Sequence, residues 1–172
     1  MQQQMEANSY KKMKDYFQNL VEQSNFLNDF VGFFQREWAN RTAAYTNELA
    51  SPNLTLFKYK LGFDGPEENT IAVRQIGFAI MFTKVNNDDF EAQYNAIDLA
   101  EQLALKVISR IKYDNHNENH FLYNSFIKDS VEISPVELSA SDFGVEVFFN
   151  LRNKQLLSVD PIDWKDIDQV CT

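Results

Sequence analysis

Two runs of alternating apolar residues, separated by one long run with helical spacing, constrain this chain more than any other feature. Ile76, Phe78, Ile80 and Phe82 take every second position between Ile71 and Val85, against Gln75, Gly77, Ala79 and Met81. Phe143, Val145, Val147, Phe149 and Leu151 do the same against Gly144, Glu146, Phe148 and Asn150. A period of two places each set on one face of a strand. Between the two runs, Phe90, Tyr94, Ile97, Ala100, Ala104, Val107, Ile108 and Ile111 recur mostly at three and four, as one face of a helix from Asp88 to Lys112 requires. Glu91, Asn95, Asp98, Gln102, Lys106 and Arg110 then face outward, acids early and bases late, in keeping with the helix dipole. Asp88 followed by Glu91 has the form of a capping box.

The flanking segments complete two hairpins. Leu54 to Phe63 alternates with a phase slip between Leu56 and Phe57, the mark of a bulge or a late strand start. Asp64-Gly65-Pro66 and the polar residues after it turn the chain into the strand at Ile71. Val131 to Leu138 joins Phe143 to Leu151 through Ser139 to Asp142. Phe121 to Ile127 fits a helical turn as well as an edge strand. At the N-terminus, Met13, Phe17, Leu20, Leu27, Val31, Phe34 and Trp38 fall at intervals of three, four or seven, predicting one helix from Tyr10 to Arg41. Phe26, Phe30 and Phe33 add a second apolar stripe beside the first. Thr42 to Ala50 is its candidate extension, and Ser51-Pro52 its latest end.

These readings give one domain over the 172 residues. A helical element spans 10–50, an α+β core 54–151 and an acidic tail 152–172. The expected fold is α+β: a mostly antiparallel sheet of about four strands against a long helix, with a long N-terminal helix besides.

Chemistry is scarce. The formal charge of −9 repels phosphate and disfavours sequence-specific nucleic-acid binding. Lys11, Lys12 and Lys14 read as a solvated helix start rather than a basic patch. Cys171 is the only cysteine, so an internal disulfide and a cysteine-based zinc site are excluded. His116 and His120 stand near Asp114 and Glu118, but their order is not that of a zinc protease and an Asn-rich loop accounts for them. Glu67/Glu68 and Asp88/Asp89 are adjacent pairs whose side chains diverge. No phosphate loop, dinucleotide fingerprint or nucleophile elbow occurs. The chain is read as no enzyme, with no cofactor and no metal. Met1 to Asn8 lacks the apolar stretch of a signal peptide, and no apolar run reaches the length of a membrane span.

Two segments are candidates for protein contacts. The stripe of Phe26, Phe30 and Phe33 makes the first helix apolar on two sides. In the tail, Ile162, Trp164 and Ile167 are set among Asp160, Asp163, Asp166 and Asp168, with Trp164 a candidate interface anchor. That tail either docks on a neighbouring subunit or folds back, with Trp164 capping its own core.

The order of elements from Ile76-Gly77-Phe78-Ala79-Ile80 through the long helix to Asp142-Phe143-Gly144-Val145-Glu146-Val147-Phe148-Phe149 resembles tail-completion proteins of tailed bacteriophages. The resemblance covers roughly Leu54 to Leu151. It implies a small sheet packed on one helix, and a tail-terminator or head–tail connector subunit that forms a ring with its copies and meets neighbouring virion proteins. No catalytic residues are implied. The expected place is the virion, after synthesis in the host cytoplasm, and an acidic wall would suit a ring that DNA must pass without sticking. The alternative expectation is an acidic protein-binding module, such as an inhibitor or immunity-type protein that covers a basic partner.

Overall fold

A computed structural model describes residues 9–42, 49–155 and 157–167. Its centre is the pair of strands that alternation marked most clearly. Strand β4 (Ile71–Phe82) and strand β6 (Asp142–Lys154) run antiparallel in unbroken register from Ile71↔Lys154 to Phe82↔Phe143. On one face this register stacks Ile76, Phe78 and Ile80 beside Phe149, Val147 and Val145, all fully or almost fully buried. Helix α3 (Phe90–Asn115) lies across that face and contributes Ala100, Ala104, Val107 and Ile111. Alanine at two successive turns removes bulk from the helix surface, which suits close approach to the large side chains on the strands.

The sheet is wider than four strands. Its order is β1-β2-β4-β6-β5, with β3 also paired to β4, six strands among the described residues. The predicted strand from Leu54 to Phe63 divides into β2 (Asn53–Leu56) and β3 (Lys60–Asp64), both antiparallel to β4. The division falls at the phase slip. Leu56 pairs with Phe78 and Lys60 with Gln75, so residues 57–59 stand against only 76–77, and one residue is in excess. On the face away from α3, Phe57 and Phe148 lie over Gly77, where a Cβ would meet the Phe148 ring at 2.5 Å. Gly77 is therefore a seat for two aromatic rings, and any side chain there would displace them.

Strand β5 (Phe126–Ser139) closes the other edge through a tight turn, with Ser139 opposite Asp142. Its register shifts between Ile127 and Glu132. There the Ser130 hydroxyl donates to the Ile127 carbonyl at 2.6 Å and accepts the Asn150 N–H at 2.8 Å, so a side chain replaces a missing rung of the ladder. The segment from Phe121, ambiguous in sequence, is turn up to Ser125 and strand from Phe126.

The N-terminal segment departs most from expectation. The single helix from Tyr10 to Arg41 is replaced by helix α1 (Tyr10–Gln23), strand β1 (Asp29–Val31) and helix α2 (Gln35–Thr42). Helix α1 begins at Ser9, whose hydroxyl accepts the Lys12 N–H, and buries Met13, Tyr16, Phe17, Leu20 and Val21. It ends because Ser24 turns extended: its N–H and hydroxyl both satisfy the Val21 carbonyl, and its hydroxyl also accepts the Leu27 N–H at 3.0 Å. The freed chain pairs parallel with β2, Phe30 opposite Leu54. Phe34, expected inward, is 61% exposed. The proposed extension through Ala50 falls mainly on residues outside those described.

Helix α3 also corrects its predicted cap. Asp89, not Asp88, accepts the Ala92 N–H at 3.1 Å. Asp88 belongs to the preceding turn, with its N–H on the Asn86 side chain. Glu91 is then the second helical residue, one position too early to reach back to the cap.

Candidate functional site

Two groups of side chains were candidates for protein contacts, and they have different fates. Phe26, Phe30 and Phe33 do not form an outward stripe. All three are half-buried and pack against the chain's own core. Phe26 carries the Lys106 ammonium 5.2 Å from its ring centre, and Phe33 lies 5.4 Å from the Tyr10 ring. Tyr10 in turn stacks on Tyr59 and donates its hydroxyl to the Tyr59 carbonyl at 2.6 Å. Because the helix ends at Ser24, these phenylalanines share no helical face.

The tail behaves oppositely. Beyond Lys154 the described residues 157–167 are all exposed, with Ile162 at 78% and Trp164 at 57%. Ile167 is the most covered, at 36%. Trp164 therefore does not cap the core. The tail contains a short 3₁₀ turn (Pro161–Asp163), started by the Asp160 carboxylate accepting the Ile162 N–H at 3.0 Å. Proline suits its first position, where no N–H is needed.

Other apolar side chains stand out on the surface. Phe90 and Tyr94, expected in the buried stripe of α3, are about as exposed as any apolar residue on it. The first buried residue of the helix is Ala96. With Ile97, Pro135, Val136 and Phe143 they border a shallow groove of about 280 Å³ between the start of α3 and strand β5. Leu61 and Phe63 of β3 are also exposed, on a strand none of whose five residues is covered. Lys58 and Lys60 beside them form no ion pair with a described residue.

A polar cluster ties the two helices together. Asp114, read from sequence as the first loop residue, is buried in the last turn of α3. Its carboxylate accepts the Tyr16 hydroxyl at 2.8 Å and the Arg110 Nε–H at 3.0 and 3.1 Å. Burial, and then the hydrogen bond to Asp114, push the Tyr16 phenol far above its ordinary range, so it stays a donor. The His120 ring lies 5.5 Å from Tyr16, and its Nδ1 accepts the Leu122 N–H at 3.2 Å. Burial holds its pKa below the usual imidazole value; Asp114 opposes that shift, and Arg110 and Lys12 reinforce it. The sequence did hold a signal for Asp114: Ala100, Ala104, Val107 and Ile111 continue to it at steps of four, three, four and three.

His116 lies apart, its Nδ1 2.6 Å from the Lys112 carbonyl. Among the described residues no three His, Cys, Asp or Glu side chains gather where a metal could be held. The larger cavity, about 500 Å³, lies between α1 and β1 and is polar. Its charged groups have polar partners: Arg41 with Asp29 and the Phe30 carbonyl, Glu37 with the Gly32 N–H, Lys14 with Gln18. No helix among the described residues is long and apolar enough to cross a membrane.

No family model, curated protein or solved structure matches the chain.

Proposed function

We propose that this chain is a structural subunit that assembles with copies of itself, as a ring at the head–tail connector or tail terminator of a tailed phage. One observation carries the reading. Large apolar side chains stand at exposed positions in several places among the described residues, foremost the start of α3, strand β3 and the tail. A monomer gains nothing from leaving Phe90, Tyr94, Leu61, Phe63, Ile162 and Trp164 in water, whereas a subunit covers such residues on assembly. The acidic balance of −9 suits a wall that DNA passes without binding. The type of ring comes from the resemblance of the segment between Leu54 and Leu151 alone.

The same acidity supports a second reading, a module that covers a basic partner in a one-to-one complex. Native mass measurement and electron microscopy of the purified chain separate the two. Closed rings of many copies are expected. A chain that stays monomeric at every concentration, and pairs one-to-one with a basic protein, would replace the ring with the second reading.

A further inference from the structure

We propose that segment 157–160 of one copy adds as an antiparallel strand to the open edge of β3 in a second copy. The inference rests on the assembly reading above and names the contact that makes it.

Strand β3 pairs with β4 on one side, and no described strand pairs with its other side. That edge leaves backbone N–H and carbonyl groups free to accept a strand. Its side chains are prepared for one. Leu61 and Phe63, two residues apart, project from one face and are 46% and 51% exposed. Gly62 between them has open space where a Cβ would stand.

The tail presents the matching pattern. Leu157 and Val159, again two residues apart, are 63% and 61% exposed. Set antiparallel with Val159 opposite Leu61, Leu157 falls opposite Phe63 and Ser158 opposite Gly62. Asp160 then falls opposite Lys60. One register therefore matches both apolar pairs and adds an opposite-charge pair across the strands. The next residue, Pro161, has no N–H to continue a ladder, so the added strand ends there.

Chain length assigns the contact to a second copy. Asp64, Ile71 and Lys154 form one row across β3, β4 and β6. A strand added outside β3 lies three strand spacings from β6, about 14 Å. Three residue-to-residue steps lead from Lys154 to Leu157 and span at most about 11 Å. A chain's own Leu157 cannot reach the position opposite Phe63. The donor and acceptor surfaces of one copy are thus different patches, and such a contact closes into a ring or continues as a filament.

The test is a charge exchange in the full-length chain, read by native mass and sedimentation at low salt. Lys60→Glu and Asp160→Lys should each weaken self-association roughly fivefold or more, because each sets like charges opposite one another. The double variant should restore it. Both positions are exposed, and unchanged thermal melting shows that each variant folds. In a Cys171→Ser background, mixing Leu61→Cys chains with Val159→Cys chains should give a disulfide-linked pair. A wild-type chain that never associates overturns the assembly reading, and this contact with it. A wild-type assembly that both charge variants leave intact, with no linkage in the mixture, overturns this contact alone.

Discussion

Helix α3 and the N-terminal segment carry equally good helical spacing, yet one runs unbroken for 26 residues and the other stops after 14. The difference lies in what the backbone can do at one position. In α3 the chain stays helical from Phe90 to Asn115, and no short polar side chain along it draws the backbone out. Ser109 does reach back, to the Leu105 carbonyl at 2.7 Å, but without leaving the helix. At Ser24 the hydroxyl takes both an acceptor behind it and a donor ahead, and the chain leaves the helix with the Val21 carbonyl and the Leu27 N–H both satisfied. Spacing reports which side chains go inward. Whether the chain keeps turning is decided by the local competition for backbone groups and by the tertiary partner, here β2, that waits outside the helix.

The largest expected effect tests the buried half of α3. Val107→Asp places a charge in a fully covered position and should cost about 3 kcal/mol or more, read by denaturant unfolding. Ile97→Asp, half-covered beside the groove, should cost clearly less. Equal losses would mean that the start of α3 is as deeply buried as its middle, and the contrast between its two halves would fail.

The central strands and the long helix were legible because one side-chain period decides each of them. Ile76, Phe78 and Ile80 can be buried together only in a strand, and Ala100, Ala104, Val107 and Ile111 only in a helix. The stretch from Phe26 to Phe34 is different. Six of its nine residues are apolar, so a helix and a short strand bury comparable sets, and periodicity cannot choose between them. The candidate contact residues divided on the same ground. Ile162 and Trp164 were legible as an unsupported ridge because aspartates surround them. Phe26, Phe30 and Phe33 were read on a helix that ends before them, so the stripe they were to form is absent. Strand β3 was read only as part of a longer strand, since exposure of both its faces leaves no trace in composition.

An intermediate effect tests the tie between the two regions. Tyr16→Phe removes the hydroxyl from the buried Asp114 carboxylate while keeping the ring, and should cost about 1–3 kcal/mol. Asp114→Asn should cost less than the loss of the whole side chain in Asp114→Ala, because an amide still accepts from Tyr16. A Tyr16→Phe chain as stable as its parent would show that Arg110 alone satisfies the carboxylate.

The smallest effect is a pH dependence. The His120 pKa is depressed in the fold, so the unfolded chain takes up a proton at a pH where the folded chain does not. His120 therefore leaves stability unchanged above the unfolded value of about 6.5 and lowers it as pH falls below that value. Melting of His120→Asn between neutral and mildly acidic pH should show a shallower decline than the parent. A steeper decline would reverse the sign assigned to this group.

The hydrogen bond between Tyr16 and Asp114 joins positions 98 apart in sequence. During synthesis the N-terminal helix emerges well before the residues that receive it. At ordinary translation speeds that interval is on the order of 5–20 s. Through it, Met13, Phe17 and Leu20 face a sheet that still lacks β5 and β6, and an isolated helix of 14 residues is marginal in water. The first part of this chain to be made is thus among the last to gain its shape. Contacts of such long range also slow folding of the finished chain, because a large loop must close before they form. In a refolding experiment the α1 signal should appear together with the central strands, never ahead of them.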